Sequence, residues 1–174
     1  FLVCSSKYTL NLIKKSWDVS KIKFTVIYPT YHIKKSKHKY FQRNNKKINF
    51  VSICRIEKRK GLLESLKSMR VILDRGYSFK WDIIGDGPEL NTLKNEATKL
   101  NLQENIIFHG KIESDIEKEK FLEKSDIFLM PSFQDKYSVE GFGLSYVEAA
   151  KFGIPSIAGN SGGAKEAIIN NNTG

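Results

Sequence analysis

From residue 48 onward, short runs of β-branched and aromatic residues alternate with longer stretches whose apolar positions recur every three or four residues. Residues 48–54 read as a strand, and 60–75 as a helix with Leu62, Leu63, Leu66, Met69, Val71 and Leu73 on its apolar face, closed by Gly76. A second strand is predicted at 79–84, then a helix from Pro88, well suited to a first helical turn, to about residue 100. Strands at 105–109, 126–130 and 154–158 and helices at 113–124 and 143–152 continue the alternation. This pattern implies right-handed βαβ units, hence an α/β fold with a Rossmann-like parallel sheet and helices on both faces. Ligands of such sheets bind beyond the carboxyl ends of the strands. That rule points to Arg55 and to the loops 85–88, 110–112, 131–143 and 159–163, which on one sheet edge would make one site.

Residues 1–28 do not begin this repeat: a helical piece at 8–15 and a strand at 23–28 are followed by Pro29 and a lysine-rich stretch. They read as the tail of a preceding domain, with 29–47 a basic interdomain connector and 48–174 the main domain. Starting at Phe1 and stopping on the turn-like pair Thr173 and Gly174, the chain reads as an excised piece of a longer protein. No basic stretch followed by an apolar core marks a secretory signal.

With 174 residues, 40% hydrophobic and 28% charged, the chain has room for one globular domain and does not resemble disordered or fibrous classes. No apolar run approaches the ~20 residues of a membrane span. Cys4 and Cys54 are too few and too distant for a disulfide framework or zinc knuckle; they are expected to be small buried hydrophobes in a reducing, cytoplasmic setting. Net charge is +10, unevenly spread: residues 1–50 hold 12 Lys/Arg against Asp18 alone, and the rest hold 17 against 18 acids. The excess lies in Lys34, Lys35, Lys37, Lys39, Arg43, Lys46 and Lys47, within the connector rather than on the folded body, so nucleic acid is not the expected partner. A solvated connector and a peripheral contact with an anionic membrane both fit it.

Three places carry candidate chemistry. Arg55 follows the first strand, and Lys60 with Gly61 opens the next helix; a strand end, a helix N-terminus and cations together suit a phosphate. Glu140 and Glu148 flank the segment GFGLSYV, the first beside glycines that allow close backbone approach, the second in an apolar helix where a carboxylate is costly without partners. A polyol would satisfy Glu148, since carboxylates accept paired hydrogen bonds from vicinal hydroxyls, and the N–H groups near Gly143 to Ser145 can face a diphosphate. The competing structural reading gives Glu140 to the helix dipole and Glu148 to a lysine. Gly162 and Gly163 precede a short helix containing Glu166. The run Gly85, Asp86, Gly87 lacks a G-x-G-x-x-G continuation, so no dinucleotide fingerprint is present. His32, His38 and His109 have no metal-ligand spacing, and no Asp-x-Asp pair offers a metal clamp.

Taken in order, the segments 55–61 (RIEKRKG), 84–88 (IGDGP), 108–110 (FHG), 126–132 (DIFLMPS), 140–149 (EGFGLSYVEA), 153–155 (GIP), and Gly162 and Gly163 with Glu166 form a recognisable set. From about residue 21 to 174 the chain resembles the C-terminal, nucleotide-sugar-binding domain of GT-B glycosyltransferases of family 4, the retaining group 1 enzymes of bacterial type. The resemblance implies that Arg55 and Lys60 bind the donor diphosphate, Glu148 holds the ribose hydroxyls and Glu140 those of the transferred sugar. These imply Arg55, Lys60 and Glu140 as catalytic residues. The backbone at Gly141, Phe142, Gly143 and Leu144 would approach phosphates and sugar. Lys111 and Ile112 would meet the base, and Gly110, Gly162 and Gly163 would complete the donor site. It further implies no metal and no cofactor beyond the nucleotide diphosphate-sugar substrate. The acceptor, a glycan or lipid-linked sugar of polysaccharide or lipopolysaccharide assembly, would be held by a separate N-terminal domain, leaving the isolated piece inactive. Alternatives are another GT-B enzyme, a phosphorylase or sugar-nucleotide epimerase, or a non-catalytic nucleotide- or nucleic-acid-binding module.

Overall fold

The computed structural model describes residues 1–31, 47–136 and 138–174. His32, His38 and the lysines assigned to the connector, apart from Lys47, lie outside the described residues.

Five parallel strands form the main sheet: β3 (Lys47–Ile53), β4 (Ser78–Ile84), β5 (Ile106–Gly110), β6 (Ile127–Met130) and β7 (Ser156–Ala158), in the order β5-β4-β3-β6-β7. Each follows the strand expected from the apolar pattern to within about two residues. The helices are α2 (Leu62–Asp74), α3 (Leu90–Lys99), α4 (Asp115–Lys124), α5 (Leu144–Lys151) and α6 (Ala164–Ala167). One expectation is corrected: Lys60 does not begin the long helix. Lys58–Lys60 form a separate 3-10 turn, and Gly61, at φ 72°, redirects the chain before α2 starts at Leu62.

Alternation along the strands builds two cores. Phe50, Phe79, Trp81 and Ile83 face α2 and α3, where Leu62, Leu66, Met69, Leu93 and Ala97 close over them. Val51, Ile84, Phe128 and Met130 face the other way, onto Leu122 of α4, Tyr146 and Ala149 of α5 and Ala164 of α6. This two-sided cover is what an all-parallel sheet requires. The buried polar atoms are satisfied: Trp81 Nε1 donates to Ser52 Oγ at 2.9 Å, and Ser52 donates onward to the Leu129 carbonyl. The chain runs outward from central β3 to β4 and β5, then crosses back to β6 on the other side of β3 and on to β7, so the strand order reverses at the β3–β6 border.

A smaller unit precedes the sheet. β1 (Leu2–Cys4) pairs in parallel with β2 (Phe24–Val26) across α1 (Lys7–Ser16), a complete βαβ unit of which β1 is not evident from the sequence pattern. Ser6 caps α1 by accepting from the Thr9 amide at 3.0 Å. Cys4 and Cys54 are both free thiols.

Candidate functional site

A cavity of about 590 Å³ opens at the carboxyl ends of β3, β4 and β5. Its walls come from the turn after β3 (Cys54, Arg55), the turn after β4 (Gly85 to Gly87), the loop after β5 (Lys111, Ile112), Lys118 of α4, and Ser145 and Glu148 of α5. The structure therefore brings Arg55, Lys111, Ile112 and Glu148 together although they span 93 positions of sequence, from 55 to 148. α5 starts here because Gly143 takes φ 93°, a left-handed geometry that lets the chain turn into the helix against the Tyr146 ring. Ser145, in its first turn, lines the cavity.

Glu148 takes no hydrogen bond or ion pair among the described residues. Burial pushes its carboxyl above the ordinary range; Lys118 and Lys151 pull it down, Asp115 and Glu119 push it up, and the rise wins. The lysines are engaged elsewhere, Lys118 with Asp115 at 2.9 Å and Lys151 with Glu119 at 2.6 Å. The lysine pairing envisaged for Glu148 as the purely structural reading is thus absent among the described residues. A half-buried carboxylate faces a cavity with acceptor capacity to spare, in position for a diol.

Glu140 is differently placed. Its carboxylate accepts from Lys60 Nζ at 2.5 Å and Arg59 Nη1 at 3.1 Å. Burial raises its pKa, but the hydrogen bond and charge of Lys60, with Arg59, outweigh that and hold it below the ordinary carboxylate range. The helix-dipole role considered for Glu140 gives way to this ion pair. Glu57 joins Arg59 at 3.0 Å to Arg55 at 2.9 Å, so one charge chain runs from Arg55 at the cavity rim to Lys60 and Glu140. Arg55 is largely exposed, with a side-chain exposure of 71%, whereas Lys60 is buried. Lys111, at the rim, pairs with Glu113.

Gly162 and Gly163 act on the Glu140 loop rather than on the cavity. Gly163 N–H donates to the Glu140 carbonyl at 2.7 Å. A Cβ on Gly163 would lie 1.9 Å from the Gly141 carbonyl oxygen, so only glycine permits this approach. Gly162 abuts the Glu140 carbonyl in the same way. Phe142 is buried and Leu144 partly exposed. Gly110 O accepts from Gly85 N at 2.8 Å, fastening the β5 loop to the β4 turn. His109 is held by Asp82 at 2.6 Å and lies on Phe121, a structural role at a strand end. Cys54, beside the cavity, has its thiol pushed up to about 12 by burial, so it is no nucleophile at neutral pH.

Two contributors escaped the sequence reading. Lys118 lines the cavity, and its only sequence signal was a lysine three residues after Asp115 in a helix that is polar on most of its faces. Arg59 enters the sequence reading only within the segment 55–61, with no role of its own, yet its side chain is 18% exposed and bonded to Glu140. Among the described residues no cluster of three or more His, Cys, Asp or Glu could hold a metal ion. No described helix is long and apolar enough to cross a membrane.

Residues 33–174 match the family described as Glycosyl transferases group 1. A GDP-mannose-dependent alpha-(1-6)-phosphatidylinositol monomannoside mannosyltransferase of Mycobacterium tuberculosis is 36% identical over 129 residues, 71% of this chain and 32% of that protein. The protein of the same description from Mycolicibacterium smegmatis is 32% identical over 126 residues, covering 71% and 33% respectively. This chain thus spans about a third of the length of these curated relatives. Among solved structures, WaaG, a glycosyltransferase involved in lipopolysaccharide biosynthesis, superposes with a TM-score of 0.77 at 14% identity, over 94% of this chain and 45% of that one. Anabaena HepE in complex with UDP and glucose gives 0.74 at 20% identity, over 96% and 46%. These likenesses establish a glycosyltransferase fold of GT-B type for the main sheet.

Proposed function

Since the chain belongs to the glycosyl transferases group 1 family, we propose that it is the donor-binding part of a retaining GT-B glycosyltransferase, in which residues 48–174 hold a nucleotide diphosphate-sugar. On this reading residues 1–28 end a preceding acceptor-binding domain and 29–47 connect the two. The observation that carries the reading is the grouping of Arg55, Ser145 in the first turn of α5 and a half-buried Glu148, without a hydrogen-bond or ion-pair partner among the described residues, around one cavity. A diphosphate lies between the Arg55 guanidinium and the α5 N–H groups, ribose hydroxyls donate to Glu148, and the backbone of Lys111 and Ile112 borders the base. Glu140 meets the hydroxyls of the transferred sugar. Lys60 keeps that carboxylate ionised and, with Arg55, supplies positive charge as negative charge grows on the departing diphosphate. No metal is needed for that step in this scheme.

The acceptor is a glycan or a lipid-linked sugar. Relatives named for phosphatidylinositol mannoside and capsular polysaccharide synthesis support that class. The protein works in the cytoplasm, with peripheral contact at the inner membrane face where the acceptor is lipid-linked. The test is sugar transfer by the full-length polypeptide in the presence of a chelator, with the anomeric configuration of the product read by NMR. Retention without metal is expected, and residues 1–174 alone are expected to be inactive. An inverted product, or turnover by the isolated chain, contradicts the scheme.

A further inference from the structure

The loop that carries Glu140 is held from the far side by the small N-terminal unit, through contacts that join residues more than 130 positions apart. The Ser6 hydroxyl, fully buried, donates to the Gly141 carbonyl at 2.6 Å, and Thr9 Oγ1 reaches the same oxygen at 3.3 Å. Glu166 of α6 accepts from the Lys7 amide at 2.9 Å, the Tyr8 amide at 2.7 Å and the Tyr28 hydroxyl at 2.9 Å. The Tyr28 ring lies 5.6 Å from that of Phe142. Gly163, three residues before Glu166, donates to the Glu140 carbonyl from the other side. Each backbone carbonyl of the pair Glu140 and Gly141 is therefore bonded by a different element.

We propose that Ser6, Thr9 and Glu166 form a clamp that positions the Glu140 loop, so that recognition of the donor's sugar depends on the N-terminal unit being docked. The proposal rests on the donor-site reading above and adds positioning residues to it. The three clamp residues lie outside the cavity lining, so their loss acts through Glu140 and leaves the nucleoside diphosphate contacts at Arg55 and Glu148 in place. With the clamp open, the Gly141 carbonyl loses its donors, the Glu140 backbone shifts, and the carboxylate no longer sits where Lys60 and Arg59 aim it.

The test pairs two readouts on residues 1–174, for the wild type, Ser6→Ala and the milder Thr9→Val. Amide hydrogen exchange without ligand reports the loop directly: the Gly163 amide is expected to exchange about tenfold faster in Ser6→Ala, while Val51 and Trp81 in the sheet are unchanged. Calorimetry with GDP and GDP-mannose, and with UDP and UDP-glucose, reports recognition. The advantage of the sugar nucleotide over its nucleoside diphosphate is expected to fall at least about fivefold, with nucleoside diphosphate affinity within about twofold of wild type. Should Ser6→Ala not fold, Thr9→Val is expected to move both readouts in the same direction. Unchanged Gly163 exchange, or a loss of nucleoside diphosphate and sugar nucleotide affinity in equal proportion, overturns the clamp. Absence of any nucleotide binding by the wild type is a separate failure, of the donor-site reading, and takes the clamp's role in recognition with it.

Discussion

Two carboxylates eight positions apart are tuned in opposite directions by their surroundings, and each makes a different prediction. Glu148 sits in a half-buried position that raises its carboxyl above the ordinary range. Its folded pKa then exceeds the unfolded one, so its ionised form is disfavoured by folding and costs stability at neutral pH. Glu148→Gln is accordingly expected to stabilise the ligand-free chain by on the order of 0.5–2 kcal/mol in denaturant melts, while weakening nucleotide binding. Because the ionised carboxylate is the better acceptor for ribose hydroxyls, affinity is expected to fall as pH drops through that raised pKa and to level off above it. Glu140 has the reverse sign. Its pKa is lowered, so the stability from its ion pairs is present above the unfolded value of about 4.3 and is lost as pH falls through the folded one. Lys60→Ala, which leaves only Arg59 on the carboxylate, is expected to cost about 1–3 kcal/mol and to move the onset of acid unfolding to higher pH.

Between elements, the close approaches decide more than the elements themselves. Gly163→Ala keeps an ordinary backbone angle, φ −80°, but drives a Cβ to 1.9 Å from the Gly141 oxygen. A loss of about 1–3 kcal/mol is expected in urea unfolding, with weaker binding of sugar nucleotides; an unchanged midpoint would show that the 140–141 loop is free to move away. The strands and helices from β3 to β7 were legible because burial on both sheet faces leaves strong apolar runs punctuated by Gly and Asn, as at Ile48, Phe50 and Val51 or Phe128, Leu129 and Met130. β1 was not legible, since three residues at the start of the chain carry no periodicity. The early start assigned to α2 failed because a lysine-rich turn is compatible with helix propensity until Gly61 adopts a left-handed angle. Glu148 stood out as an acid in an apolar helix. The roles of Glu166, Ser6 and Arg59 had no local signal, because each depends on a partner 81 or more positions away.

At the scale of the molecule, the cavity lies over β3, β4 and β5, beside the point where strand order reverses, and a charge chain links its rim to the Glu140 loop. A cavity of about 590 Å³ is large enough for much of a nucleotide. If this cavity is the donor site, its nucleotide affinity rests on Glu148 and Arg55. A calorimetric titration of UDP, GDP and ADP into residues 1–174, with Glu148→Ala and Arg55→Ala alongside, decides this. One base is expected to be selected, and each substitution to weaken its binding by ~1–3 kcal/mol, as for lost hydrogen bonds to charged groups. Selective binding that survives both substitutions unchanged would contradict it and place the nucleotide elsewhere.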